Sequence, residues 1–347
     1  MDKHSFARNH LLTRSLLSYL LYPTSCIYAG FMLFRRRYLY RKPYRAPFKV
    51  ISIGNIVSGG SGKTPITIAL ANALQALGLK VAIASRGYLA GWEDRGGQIS
   101  DGTKLLTNVA IAGDEAMMVA SSLPGIPVFV GRKRSAILEL ISKSNSPDIV
   151  ILDDALQHLK VARDLDLIVF DSLVGLGNGF VIPAGYLREP LSSLPENAII
   201  LLHSKNGLTP NQELMHCLKN LQLPLFMVNS QASRILRDNA EITPSSLMGK
   251  SISLVSAIAH PDSFESSARA MGIHFQTHHR FPDHFAYHDD AAMTNLLNDV
   301  SEYLLCTAKD YTKLQSVPTL KDRLLCLNLE TTLDSALVDK VMGVIEN

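Results

Sequence analysis

The feature that most restricts the fold is a glycine-rich segment, GGSGKT, at residues 59–64. Residues 48–53 before it form a continuous apolar run that predicts a buried strand, and residues 62–77 carry apolar side chains at three- and four-residue spacing, which predicts a helix. A glycine-rich loop between a strand and a helix presents backbone amides and the positive end of the helix to phosphate. This context favours a nucleotide-binding loop over an ordinary glycine-rich turn.

The polar residues of this loop have expected partners. Lys63 is expected to reach the β- and γ-phosphates of a nucleotide, and the Thr64 hydroxyl to bind Mg²⁺. The strict motif requires glycine at position 57, where this chain has Val57, so the loop is a variant. The residues expected to bind the nucleotide are Ser58, Gly59, Gly60, Ser61, Gly62, Lys63 and Thr64.

Further apolar runs predict the rest of an α/β fold. Strands are predicted at residues 80–84, 127–130, 149–152, 167–170, 198–202 and 225–228. Strands separated by helical stretches favour right-handed βαβ units and a mostly parallel sheet with helices on both faces. The predicted fold class is therefore a P-loop NTPase-like α/β fold.

The chain length of 347 residues, with 47% hydrophobic residues, allows two packed units. A smaller C-terminal α/β unit is predicted from strands at 252–258 and 324–329 and helices at 290–303 and 333–345, after a linker at 238–250. The expected division is a membrane-associated segment at 1–46, a nucleotide-binding core at 47–240 and the smaller unit at 251–347, which forms the other wall of a cleft.

Composition excludes several classes of protein. The net charge of +3 gives no global basic excess, so no nucleic-acid partner is expected, and nothing in the chain indicates an obligate protein partner. The four cysteines have neither metal-ligand spacing nor the pattern of a disulfide framework. A reducing compartment is therefore expected for the globular part.

An N-terminal run at residues 15–34 has no charged side chain and is long enough to cross a bilayer as a helix. Tyr19, Tyr22 and Tyr28 suit a membrane interface, and the seven basic residues within 35–49 suit anionic headgroups. These outnumber the three basic residues before the run, which would place the body of a spanning protein in the cytoplasm. A cleaved signal peptide is disfavoured because no suitable cleavage site follows, and a helix packed on the body is the alternative.

Two pairs of carboxylates are candidates for chemistry. The run IVILDD at 149–154 predicts a buried strand that delivers Asp153 and Asp154 to its carboxyl end, where open α/β sheets bind ligands and P-loop enzymes hold magnesium. Asp114 and Glu115 precede an apolar helix, where they fit either a helix cap or a base and metal ligand.

Taken together, ordered motifs of this chain resemble the tetraacyldisaccharide 4'-kinase family of lipid A biosynthesis, which are inner-membrane-associated P-loop kinases. The resemblance rests on GNIVSGGSGKTP (54–65), SRGY (85–88), GDE (113–115), Arg134, LDDALQH (152–158), PAGYLREP (183–190), FPDH (281–284) and TAKDYTKL (307–314). The chain departs from the family pattern at Ala155, Leu156, Tyr186, Phe285 and Ala308.

The resemblance implies transfer of the γ-phosphate of ATP, with Mg²⁺, to the 4'-hydroxyl of a tetraacyldisaccharide 1-phosphate, forming lipid IVA. It implies Asp114 and His284 as a base dyad and Lys63 as a third catalytic residue, in a cleft that closes like a lid. It implies Thr64, Glu115, Asp153, Asp154 and Gln157 for the metal, and Arg86, Arg134, Arg188 and Glu189 for the substrate. It further implies that the N-terminal segment holds the enzyme at the cytoplasmic face of the inner membrane.

Two other classes remain open at this point. A P-loop ATPase of the partitioning type places a signature lysine directly before the paired glycines, where this chain has Ser58. A nucleotide-dependent membrane scaffold would explain the apolar segment and the loop, but not Asp114, His284 and Arg188 together. ADP release that depends on the lipid separates the kinase from both.

Overall fold

In the computed structural model, the described residues are 10–40, 42–58, 61–88, 90–144, 146–207, 210–238, 240–288 and 290–346. Over these residues, thirteen strands join in one sheet in the order β11-β10-β12-β13-β8-β7-β6-β1-β5-β2-β4-β3, with β9 paired to β8. The strands are β1 (Lys49–Gly54), β2 (Val81–Ser85), β3 (Gly97–Ser100), β4 (Val128–Val130), β5 (Ile149–Asp153), β6 (Leu165–Asp171), β7 (Ala198–Lys205), β8 (Leu225–Arg237), β9 (Ala240–Ile242), β10 (Ile252–Ser256), β11 (Thr277–Arg280), β12 (Tyr303–Thr307) and β13 (Leu324–Thr332).

Helices connect most of these strands. The α-helices are α1 (Leu16–Leu39), α2 (Lys63–Ala76), α3 (Val109–Ala112), α4 (Asp114–Ser122), α5 (Arg134–Ser144), α6 (Gln212–Lys219), α7 (Pro261–Ala270), α8 (Asp290–Leu297), α9 (Ala308–Leu314), α10 (Pro318–Lys321) and α11 (Ser335–Glu346), and short 3₁₀ helices lie at Leu191–Ser193 and Pro244–Leu247.

The predicted α/β class is confirmed. Strand β1 lies between β5 and β6 with both pairings parallel, and β2, β4 and β7 extend the parallel region. Separate buried apolar clusters cover the sheet on its two faces, which is why the central strands are apolar at successive positions rather than at alternate ones. The carboxyl ends of β1 and β5 therefore meet at one edge of the sheet.

Strand β8 is longer than the predicted strand at 225–228 because other strands pair with both of its halves. Its first half pairs in parallel with β7, and its second half pairs antiparallel with β13, so the sheet continues into the C-terminal strands. Residues 229–237 are mostly polar or half-buried, and backbone pairing with β13 compensates for the weak apolar pattern. The predicted linker at 238–250 contains β9 and a 3₁₀ helix.

The predicted helix at 290–303 is wrong in its second half, since α8 ends at Leu297 and residues 303–307 form β12. The Asp299 carboxylate accepts a hydrogen bond from the Ser301 backbone N–H at 2.8 Å. Local bonds of this kind compete with the helical backbone and favour a turn. The turn leads the chain into β12, whose central residues are buried.

Helix α1 lies against the body along one face. Ser18, Ser25 and Met32 are buried at seven-residue spacing, while apolar side chains elsewhere on the helix are exposed. The Ala184 backbone N–H donates to Ser25 Oγ at 2.9 Å, which fixes the helix to the segment 183–190. Over the described residues, α1 is the one helix long and apolar enough to cross a membrane by length and composition, and only 17% of its apolar window is buried.

Candidate active site

A cavity of about 1260 Å³ lies at the carboxyl ends of the central strands. Its walls come from the start of α2, the start of α4, the end of β5, and the segments around residues 283–284 and 307–309. The phosphate loop, the two carboxylate pairs and His284 thus share one space, although they lie far apart in the sequence.

The glycine-rich loop ends in a helix start that faces this cavity. Gly62 has a φ of +77°, and α2 begins at the next residue, Lys63. Lys63 Nζ lies 3.3 Å from Asp154 Oδ1 and also 3.3 Å from Asn55 Oδ1. Ser61, Gly62, Lys63 and Thr64 line the cavity, whereas Gly59 and Gly60 lie outside the described residues. Ser58 is not part of the lining, and its backbone N–H donates to the Tyr186 carbonyl at 2.9 Å.

Asp153 and Asp154 end β5 in different electrostatic environments. Asp153 is buried and accepts a hydrogen bond from Thr67 Oγ1 at 3.2 Å. Burial, together with the negative charges of Glu115 and Asp154, raises the pKa of Asp153 to about 7. Burial opposes ionisation of Asp154 too, but the positive charges of Lys63 and Arg188 outweigh it and lower the Asp154 pKa.

Oxygen atoms around Lys63 are of the chemical kind that binds a magnesium ion. Thr64, Glu115, Asp153 and Asp154 line the cavity and offer hydroxyl and carboxylate oxygens. Mg²⁺ prefers oxygen ligands and takes few from the protein when phosphates and water supply the rest. In the described ranges, no three His, Cys, Asp or Glu side chains come close enough together to hold a metal ion by themselves.

Gln157, a predicted metal residue, does not line the cavity. Its Nε2 atom donates to the Asn55 carbonyl at 2.9 Å, so the side chain joins the loop after β5 to the residue after β1.

The structure brings Asp114 and His284 together. Asp114 is the first residue of α4, and its Oδ2 atom lies 3.2 Å from His284 Nδ1. Burial would raise the pKa of Asp114, but the hydrogen bond from His284 and the charges of Lys309 and Lys313 hold it well below its usual range. His284 has a φ of +64° and stacks edge-on against Tyr88 with ring centroids 5.9 Å apart. An imidazole on a buried carboxylate is an arrangement suited to moving a proton.

Two of the four predicted substrate-binding residues line the cavity. The positive charge of Arg188 helps to lower the pKa of Asp154. Arg86 donates from Nε to Glu93 at 2.8 Å, and its guanidinium lies over the Tyr88 ring.

Arg134 does not line the cavity and is almost fully buried. Its guanidinium donates to the carbonyls of Ser85 at 2.8 Å, of Asp153 at 2.9 Å, and of Gly131. These carbonyls lie at or just past the ends of β2, β5 and β4, so the two terminal nitrogens of Arg134 hold three strand ends together, while its buried Nε has no hydrogen-bond partner among the described residues.

Glu189 does not line the cavity either. Its Oε2 atom lies 3.2 Å from Arg36 Nη1 and accepts a hydrogen bond from Ser193 Oγ at the same distance. Its side chain is 1% exposed. Glu189 therefore joins helix α1 to the loop that carries Arg188, and Arg36, expected at lipid headgroups, instead turns inward.

Sequence reasoning assigned no role to three residues at this site. Lys309 and Lys313 lie in the motif at 307–314 and contact Asp114, and the only sequence signal was their place in that motif. His203, at the end of a predicted strand, is fully buried beneath the phosphate loop, and its Nδ1 atom lies 3.2 Å from the Ser61 carbonyl oxygen. A histidine in an apolar strand gave no sequence signal for this contact.

A phosphate loop, paired carboxylates at the strand ends and an Asp–His pair in one cavity define a P-loop phosphotransferase. The sequence model of the family described as Tetraacyldisaccharide-1-P 4'-kinase matches residues 17–346. The chain belongs to this family.

Individual relatives agree with this assignment. The chain is 34% identical over 321 residues to the tetraacyldisaccharide 4'-kinase of Pelobacter propionicus, covering 89% of this chain and 86% of the relative. It is 33% identical over 307 residues to the enzyme of the same name from Chlorobium limicola, with 86% and 87% coverage. A crystal structure of LpxK from Aquifex aeolicus in complex with ATP matches 95% of this chain and 100% of that chain, at 28% identity and a TM-score of 0.77.

Proposed function

We propose that this chain is an ATP-dependent kinase that transfers the γ-phosphate to the 4'-hydroxyl of a tetraacyldisaccharide 1-phosphate, giving lipid IVA. The observation that carries the proposal is the Asp114–His284 contact of 3.2 Å in the same cavity as the phosphate loop. In this proposal the cavity holds a nucleoside triphosphate at the phosphate loop and the acceptor sugar hydroxyl at Asp114 and His284.

ATP is the donor in this proposal. Ser61, Gly62 and Lys63 hold the phosphates, because backbone amides at a helix start and an ammonium group bind phosphate oxygens. Thr64, Asp153, Asp154 and Glu115 hold Mg²⁺, which supplies charge neutralisation for the triphosphate when it is bound. Arg188 is a further cation for a transferred or acceptor phosphate, since a guanidinium fork matches phosphate geometry.

Asp114 and His284 prepare the acceptor. The carboxylate, oriented by the imidazole, accepts the proton of the 4'-hydroxyl as the oxygen attacks the γ-phosphorus. The bond between the γ-phosphorus and the β–γ bridging oxygen breaks in the same step, and ADP leaves. The residues that hold phosphate lie between residues 61 and 188, and His284 comes from the C-terminal unit. We therefore propose that the units at 47–240 and 251–347 form the two walls of the cleft and close on the substrates.

Helix α1 provides the membrane contact. Its exposed face carries Leu16, Leu20, Ile27, Phe31 and Phe34, and its opposite face contacts the body. A helix with one apolar face free and the other packed lies in a membrane interface. We propose that this face rests on the inner membrane, because the acyl chains of the substrate stay in the bilayer. In this proposal the body of the protein lies on the cytoplasmic side.

Transfer of labelled γ-phosphate from ATP to tetraacyldisaccharide 1-phosphate in detergent micelles tests the proposal. Labelling of the lipid at the 4'-position is expected with Mg²⁺ and not with EDTA. Lys63→Ala and Asp114→Ala are expected to lower the rate at least about 100-fold while the protein stays folded. Steady ATP hydrolysis without lipid labelling would favour a P-loop ATPase instead, and folded protein with neither activity would favour a scaffold.

A further inference from the structure

Lys309 lies at the centre of the charged groups around the Asp–His pair. Its Nζ atom is 3.2 Å from His284 Nε2, 3.1 Å from Asp283 Oδ1, and 3.8 Å from carboxylate oxygens of both Asp114 and Glu115. The side chain is 13% exposed and lines the cavity. Lys309 thus touches the imidazole that the proposed mechanism uses, and it does so from the first turn of α9.

The ammonium group of Lys309 and the carboxylate of Asp114 together decide which ring nitrogen of neutral His284 carries the hydrogen. An ammonium has three N–H donors and no acceptor, so the Nε2 atom of a neutral His284 ring accepts from Lys309 at this contact. The proton of the neutral ring then sits on Nδ1, which lies 3.2 Å from Asp114 Oδ2 and donates to it. The opposite tautomer would place an N–H against the ammonium and leave Asp114 without this hydrogen bond.

We infer that Lys309 is a positioning residue that fixes His284 in the Nδ1–H tautomer and thereby keeps the imidazole on Asp114. This inference rests on the proposed function, in which Asp114 and His284 prepare the acceptor hydroxyl. Lys309 acts through His284, and its ion pair with Asp283 holds the neighbouring residue of the same segment.

The nearby Lys313 provides a matched comparison. Its Nζ atom donates to Asp114 Oδ2 at 3.2 Å and to the Phe285 carbonyl at 2.8 Å, and it does not line the cavity. Lys313 therefore places a similar charge beside Asp114 and has no hydrogen bond to the imidazole. The two lysines separate the effect of a donor on Nε2 from the effect of positive charge near the carboxylate.

The tautomer can be measured directly in the full chain. Protein labelled with ¹⁵N-histidine is examined at alkaline pH by long-range ¹H–¹⁵N correlation, and His284→Gln identifies the His284 signals. Wild type is expected to show the Nδ1–H tautomer. An Nε2–H tautomer in wild type would overturn the inference without any further variant.

The variants extend the test. Lys309→Met is expected to lose the single tautomer and to lower kcat about 100-fold with little change in KM for ATP. Arginine at position 309 also offers only donors, so Lys309→Arg is expected to keep the tautomer. Its kcat is expected to be at least about a tenth of the wild-type kcat. Lys313→Met is expected to keep the tautomer.

Two results would overturn the inference: an unchanged tautomer in Lys309→Met, or an equal loss in Lys313→Met. The tautomer is read without any substrate. Absence of lipid phosphorylation by wild type would therefore refute the proposed function separately from the role of Lys309.

Discussion

Gly62 and His203 lie so close together that a methyl group on Gly62 would overlap the imidazole ring. The Ser61 carbonyl can only accept, so His203 Nδ1 donates to it and Nε2 accepts from Ser230 Oγ at 2.7 Å. Burial lowers the pKa of His203 to about 4, which keeps the ring neutral near pH 7. The end of the phosphate loop is thus seated on a neutral buried histidine.

Gly62→Ala is expected to raise KM for ATP more than tenfold, about 1.4 kcal/mol or more, because the loop must move off the histidine. Steady-state kinetics at varied ATP measures this. Gly78→Ala is the matched control, since Gly78 has a φ of +88° but open space around its Cα. An equal effect of both substitutions on KM would show that backbone strain, and not the overlap with His203, is responsible.

Asp153→Asn is expected to stabilise the protein while it abolishes activity. The folded-state pKa of about 7 exceeds the usual 3.8, so the stability contributed by this group falls as pH rises from about 4 through 7. Asparagine removes the buried charge, and we expect Tm to rise by about 4 °C at pH 8 and by less at pH 5. Thermal unfolding at the two pH values measures this.

Asp154→Asn provides the opposite case for the same strand end. Its pKa is lowered because Lys63 and Arg188 outweigh burial, so its stabilising contribution is present above pH 4 and is lost on acidification. Asparagine at 154 should therefore lower Tm at pH 8. Stabilisation by both asparagine substitutions would contradict the assigned environments.

Substitution of Arg134 is expected to lower stability, whereas substitution of Arg188 is expected to weaken substrate binding. Arg134→Gln removes the guanidinium donors from three buried carbonyls and is expected to lower the free energy of unfolding by about 3 kcal/mol. Arg188→Gln is expected to leave Tm nearly unchanged and to raise KM for a phosphate-bearing substrate about tenfold, because Arg188 lines the cavity. Urea unfolding and kinetics on both variants test this, and a reversed pattern would contradict the placement of the two guanidinium groups.

Arg36→Met is expected to destabilise the protein by about 3 kcal/mol, because it leaves the buried Glu189 carboxylate without its ion pair. Arg37→Met is the control, since Arg37 is exposed on the same helix. Adding Glu189→Gln to Arg36→Met should restore part of the stability. Urea unfolding of these variants measures the pair, and an equal effect of Arg36→Met and Arg37→Met would rule it out.

The sequence predicted the parts of the fold that have a continuous apolar pattern. Strands β1 and β5 and helix α2 were located because their buried residues follow the period of the element. The prediction for β8 was too short because the second half of the strand is stabilised by pairing with β13, which is distant in the sequence and leaves no local pattern. The predicted helix ran on to residue 303 because the turn after α8 is held by side-chain contacts of Asp299 with the Ser301 backbone N–H, His279 and Arg323, which the local sequence pattern does not report.

The site was predicted unevenly for similar reasons. The phosphate loop and Asp153 follow from local motif and strand position, whereas the Asp114–His284 contact was expected only from the family resemblance. Arg134 shows what the sequence cannot predict. Its positive charge suggested that it binds a phosphate of the substrate, whereas its guanidinium donates to three backbone carbonyls at neighbouring strand ends. These carbonyls are brought together only when strands that are distant in the sequence pair in the sheet, so the local sequence does not predict the contact.

The most direct measurement of the central proposal is a double-mutant cycle on lipid phosphorylation with Asp114→Asn, His284→Gln and the double variant. The two side chains are 3.2 Å apart and are proposed to act as one unit. Each single substitution is expected to lower kcat about 100-fold or more, and the double variant should be no slower than the slower single variant. Losses that multiply in the double variant would contradict a shared role in transferring the phosphoryl group.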